Sequence, residues 1–92
     1  MNRTQLVDAV AADTGLSAIE AGRAVAAALD QITRAVAAGD AVTLAGFGTF
    51  ERRDRAARAG RNPQTGEAIE IAATRAPAFK PAAPFRRLVA DA

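Results

Sequence analysis

Gly60-Arg61-Asn62-Pro63-Gln64-Thr65-Gly66 lies between two runs that alternate with a period of two, Thr49 to Arg55 before it and Glu67 to Ala73 after it. Two glycines around a proline are turn chemistry, and the alternation of Ile69 and Ile71 against Glu70 is that of a strand. The simplest arrangement is a long antiparallel hairpin with its tip near residues 61–66. Ala56, Ala57 and Ala59 on the outgoing side bury little. An arm so poor in large side chains has no core of its own and is expected to stay mobile until it binds something.

Charge is concentrated around this hairpin. From Arg52 to Arg87 nine basic residues (Arg52, Arg53, Arg55, Arg58, Arg61, Arg75, Lys80, Arg86, Arg87) face three acids (Asp54, Glu67, Glu70), a balance of +6. The first 51 residues carry Arg3, Arg23 and Arg34 against Asp8, Asp13, Glu20, Asp30, Asp40 and Glu51, a balance of −3. With Asp91, the chain totals +2. Such polarity implies an anionic partner for one part of the molecule, and nucleic acid is the commonest for a small basic module.

The inventory excludes much chemistry. There is no Cys or His, so no disulfide, no Cys-based metal site and no neutral-pH imidazole base. Without Tyr or Trp, catalysis would fall to carboxylates, Ser17, a few Thr and Lys80, and the acids sit at helical spacings beside Arg or on a strand. No enzyme, cofactor or metal is expected. Of the 46 apolar residues 26 are Ala, which leaves 20 larger ones in 92 residues. Each fully buried large side chain contributes roughly 1.5–3 kcal/mol, whereas ordering a residue costs about 1.5 kcal/mol. A partner subunit, most simply in a two-fold dimer, would complete so thin a core. Met1-Asn2-Arg3-Thr4 leads into an amphipathic segment with Asp8 and Asp13 rather than an apolar run, so a cytoplasmic protein with no membrane partner is expected.

Working back from the hairpin, Val42 and Leu44 begin a strand after Gly39-Asp40, and Gly46-Phe47-Gly48 turns it while driving Phe47 into the core. Asn2 with Gln5 resembles a capping pair, Leu6 and Val10 give a short apolar face, and Gly15 suits a left-handed stop. Ser17 with Glu20 forms a second capping box. Val25, Leu29, Ile32 and Val36 then repeat at helical spacing up to Gly39, and Gly22 leaves room for another backbone. Beyond the hairpin, Pro77, Pro81 and Pro84 are expected to break regular pairing. Phe79 is a core anchor, Pro84 opens a short helix, and Phe85, Leu88 and Val89 line its inner side with Arg86 and Arg87 outside.

Taken together, the two helices, Gly46-Phe47-Gly48-Thr49-Phe50-Glu51, the arm from Arg55 to Glu67 and Pro77-Ala78-Phe79-Lys80-Pro81 closely resemble the bacterial histone-like HU proteins, relatives of integration host factor. The resemblance spans essentially the whole chain. It implies an α+β fold of a single domain, residues 1–92, that forms an intertwined dimer. Residues 1–39 would be its helical dimerisation base, 40–80 a β saddle and arm, and 81–92 a short C-terminal helix. It further implies a nucleoid location and arms that reach around double-stranded DNA in the minor groove, as HU proteins, standard instances of this architectural class, do.

The DNA-binding residues that follow are Arg3, Arg53, Arg55, Arg58, Arg61, Asn62, Pro63, Gln64, Arg75, Lys80 and Arg86. Pro63 carries over as the wedge between base pairs. Arg61 and Asn62 beside it meet only the degenerate minor-groove pattern, so sequence preference should be weak and bent, nicked or flexible DNA preferred. Ala59 and Ala83 stand where many relatives have Lys, and Pro84 with Arg87 alters the last helix, which puts the strength of non-specific binding in question. Homodimer and heterodimer with another HU-type chain both stay open. So do a site-preferring subunit like that of integration host factor and a generic RNA- or polyanion-binding module.

Overall fold

Side-chain caps define the first two helices. The computed structural model describes all residues, Met1–Ala92, and begins with α1 (Arg3–Thr14) and α2 (Ala18–Ala37). Asn2 accepts from the Gln5 amide and Gln5 from the Asn2 amide, both at 2.9 Å, the reciprocal box that the sequence suggests. Gly15 takes φ 74° and donates to the Ala11 carbonyl at 3.0 Å, which ends α1. Ser17 and Glu20 repeat the box with two contacts of 3.1 Å. The Ser17 amide, and secondarily its hydroxyl, holds the Glu20 carboxyl below its ordinary value. A depressed folded-state pKa means that this contribution is present above the unfolded value and is lost as pH falls through the folded one.

The chain divides into two compact units, Met1–Arg34 and Ala35–Ala92. In the first, Val7, Val10 and Ala11 are half-buried and Ala21 is fully buried. A Cβ added at Gly22 would sit 3.7 Å from Val7 Cγ1, an ordinary contact. Alanine would fit there within one chain.

The second unit opens with the end of α2. Gly39, at φ 93°, donates to the Val36 carbonyl and Asp40 to that of Ala35, both at 2.9 Å, a Schellman stop. Next come β1 (Val42–Leu44), β2 (Gly48–Arg55), β3 (Arg58–Arg61), β4 (Ala68–Ile71), β5 (Thr74–Pro81) and α3 (Ala83–Ala90). The fold is α+β. β1, β2 and β5 form an antiparallel sheet in that order, with Val42 and Phe79 both opposite Phe50.

Pro77 and Pro81 do not break this sheet: β5 pairs with β2 without interruption from Thr74 to Pro81. The physical reason is position. β5 is an edge strand, and residues four apart share one parity along it, so both prolines turn their hydrogen-free nitrogens to the unpaired side. Pro84 opens α3 as expected.

One face of the sheet carries the aromatic cluster. Phe79 lies 4.7 Å from Phe50 and 5.3 Å from Phe47 between ring centroids, and Phe85 of α3 lies 5.2 Å from Phe47. Gly48 makes this approach feasible, because a Cβ there would fall 2.5 Å from the Phe79 ring and 2.6 Å from the Lys80 carbonyl oxygen. Phe47 and Phe79 nonetheless remain partly exposed, as do Leu29 and Leu44, while Leu88 and Val89 of α3 are 75% and 63% exposed. Only Ala21 and Val36 count as a buried apolar core. The expected inner side of α3 therefore has just Phe85 covered within one chain.

The hairpin is longer than the alternation suggests. β2 pairs with β5 rather than with Glu67–Ala73, and β3 pairs with β4 further out. Between the two ladders lie Ala56 and Ala57 on one side and Ala72 and Ala73 on the other, outside any strand. Arg55 opposite Thr74 and Arg58 opposite Ile71 show that the register continues across this gap.

Candidate nucleic-acid interface

Strand alternation sorts the basic residues by face. Thr49, Glu51, Arg53 and Arg55 of β2 alternate away from Phe50, and their partners Lys80, Ala78, Ala76 and Thr74 share their side of the sheet. Arg53, Arg55 and Lys80 thus lie together on the face opposite the aromatic cluster. Thr43 and Thr49, joined by a hydroxyl contact of 3.2 Å, extend that face to β1. Arg75 is not among them. It stands opposite Asp54, on the side of the sheet that holds Phe50.

Glu51 is the one acid on the cationic face. Its Oε1 meets Lys80 Nζ at 3.0 Å and Arg53 Nε at 3.7 Å, so two cations share one carboxylate. Arg55, Arg58, Arg61 and Arg75 have no carboxylate within ion-pair distance.

On the distal ribbon a spacing of three falls on a period of two. Arg58 shares a face with Gly60, Ile69 and Ile71, whereas Arg61 shares the other with Ala59, Ala68 and Glu70. Successive arginines therefore project from opposite faces, an arrangement suited to reaching the two phosphate walls that flank a groove. Gly60 lets the isoleucines close over the ribbon, since a Cβ there would meet Ile71 Cδ1 at 2.9 Å.

Asn62 fixes the tip. Its amide donates to the Glu67 carbonyl at 2.8 Å, its carbonyl accepts from Gly66 at 2.7 Å, and its Oδ1 accepts from the Gln64 amide at 2.9 Å. Gly66 closes the turn at φ 72°. Pro63 and Gln64 are left exposed at the extremity, with the Asn62 side-chain NH2 still available as a donor. Arg3 opens α1 in the first unit, and Arg86 lies exposed on α3. Two residues that carry no site signal in the sequence, Glu51 and Arg52, prove to be hubs of ion pairing. Asp54 and Arg53 lie two residues along the same strand from them, whereas Lys80 reaches Glu51 only through strand register, which no local signal reveals.

No groups of His, Cys, Asp or Glu could hold a metal ion, and no helix is long and apolar enough to cross a membrane.

Comparison with known proteins agrees with this architecture. The chain is 59% identical over 81 residues to DNA-binding protein HU of Xylella fastidiosa, covering 88% of this chain and 86% of that protein. It is equally 59% identical over 81 residues to DNA-binding protein HU of Geobacillus stearothermophilus, covering 88% and 90%. Among solved structures, an Anabaena HU–DNA cocrystal structure matches with a TM-score of 0.85 at 51% identity over all of both chains. A Thermotoga maritima HU mutant matches at 0.73 and 27% identity over 97% of this chain and 99% of the other. The model of the bacterial DNA-binding protein family matches residues 1–90, and the chain therefore belongs to that family, as one of its histone-like HU members.

Proposed function

We propose that this chain is a non-catalytic architectural protein that grips duplex DNA in the minor groove with little sequence preference, bends it and compacts it in the bacterial nucleoid. One observation carries this reading. A face bearing Arg53, Arg55 and Lys80 runs in unbroken register into a ribbon whose arginines project both ways and whose tip presents an exposed proline. Cations along the ribbon neutralise phosphates and release counterions without reading sequence. Pro63 is the apolar wedge, with Asn62 and Gln64 beside it at the groove floor and Arg75, Arg3 and Arg86 as outlying phosphate contacts.

Residues 1–39 serve in this reading as a dimerisation base, with 40–80 as sheet and arm and 81–92 as the closing helix. The exposed Leu29, Leu44, Phe47, Leu88 and Val89 support a second copy as the missing part of the core. Two arms then act on one duplex.

The test compares an intact linear duplex, the same duplex with a nick, and an RNA duplex at several salt concentrations, with oligomeric state read by sedimentation. Tighter binding of a dimer to nicked DNA supports bending, because part of the unstacking cost is already met. Equal, purely salt-driven affinity for all three would leave a generic polyanion binder and refute the reading.

A further inference from the structure

Arg52 belongs to none of the DNA contacts proposed above. It alternates to the Phe50 side of β2, away from Arg53 and Arg55, and only 23% of its side chain is exposed. Its guanidinium grips Asp54 with a fork, Nε to Oδ1 at 2.9 Å and Nη2 to Oδ2 at 3.0 Å. Nη1 donates to the Ala37 carbonyl at 3.1 Å. That carbonyl matters because a helix end leaves several acceptors unmatched. The Schellman bonds of Gly39 and Asp40 satisfy Val36 and Ala35, and Arg52 takes Ala37, the next in line. Gly39 is shaped to admit it, since besides its φ of 93° a Cβ there would lie 3.3 Å from Arg52 Nη2.

We infer that Arg52 is a positioning residue that clamps the root of the arm to the C-terminus of α2. A forked, charge-assisted pair on a half-buried guanidinium holds its geometry far better than a single exposed contact. The strand it fixes continues through Arg53, Asp54 and Arg55 into the ladder gap, so the clamp sets the direction in which the arm departs. The arm's use of that direction rests on the DNA-bending reading, whereas the clamp itself does not.

Two variants test this, Arg52→Lys, which keeps the charge but loses the fork, and Arg52→Met, which loses both. In the free protein, hydrogen exchange at the amides of Arg53, Arg55, Thr74 and Ala76, which face across the β2–β5 ladder, should accelerate about tenfold in both variants, as removal of a charge-assisted bond implies. On end-labelled duplexes, energy transfer should report a broader and smaller bend, with the slope of log K against log salt unchanged. A slope flattened in Arg52→Met and restored in Arg52→Lys would make Arg52 a phosphate contact and overturn the inference. Unchanged exchange in both variants would overturn it too. Should the unaltered protein fail to bend DNA, the bending reading falls, and the exchange experiment still decides the clamp.

Discussion

Gly48 and Pro63 show how single residues set what this molecule can do. The Cβ of an alanine at 48 would collide with the Phe79 ring and the Lys80 carbonyl oxygen, and the carbonyl belongs to backbone fixed in the sheet. Gly48→Ala should therefore destabilise the fold by about 1–3 kcal/mol, the range of core overpacking, which thermal unfolding would measure. Pro63 is the opposite case, since nothing in the fold depends on its ring. Replacing it with alanine should leave the melting temperature unchanged and reduce the bend more than the affinity. Equal bends by energy transfer between end-labelled dyes would refute its role as a wedge. The sequence makes both residues conspicuous, yet it reveals why only for the tip, where turn chemistry is local. The need for glycine at 48 arises from an edge strand whose Phe79 and Pro81 reach it only through long-range register, which no local pattern shows.

At the scale of elements, the ribbon behaves as a two-sided object. Arg58→Ala and Arg61→Ala should each flatten the salt dependence of binding by about one unit for every phosphate left without its cation, whichever face they leave. An unchanged slope in either variant would exclude that arginine from phosphate contact. Glu51 acts in the other sense, because it occupies Lys80 and Arg53 in the free protein. Exposed pairs are weak, about 0–1 kcal/mol, so Glu51→Gln should raise affinity only a few-fold while steepening the salt slope. The same variant at Glu70, which has no cation within pairing distance, controls for charge alone. Helices, caps and the tip were legible in the sequence since they are built from neighbours: Asn2 with Gln5, Ser17 with Glu20, Asn62 with Gln64. Pairing of β2 with β5 was not. The prolines there read as breakers, and only the knowledge that β5 is an edge makes them harmless.

For the molecule as a whole, the charge division and the scarcity of buried side chains have one root, a composition rich in Ala and Arg. With Ala21 and Val36 as the entire buried core, a lone chain has little holding it folded. The melting temperature should accordingly rise with protein concentration, as for any fold completed by association, and a midpoint that stays constant as concentration is varied widely would count against the dimer. The gap in the ribbon ladder, finally, bears on how long the protein survives. Backbone outside a ladder is where proteases cut first, and the gap opens at Arg55-Ala56, an Arg-Ala bond open to trypsin-like enzymes. If the arms lie in a groove as proposed, a DNA-bound copy hides that bond and an idle copy presents it, so trypsin should cut the free protein there faster than the bound one, and the amount that persists would follow the length of DNA there is to hold it.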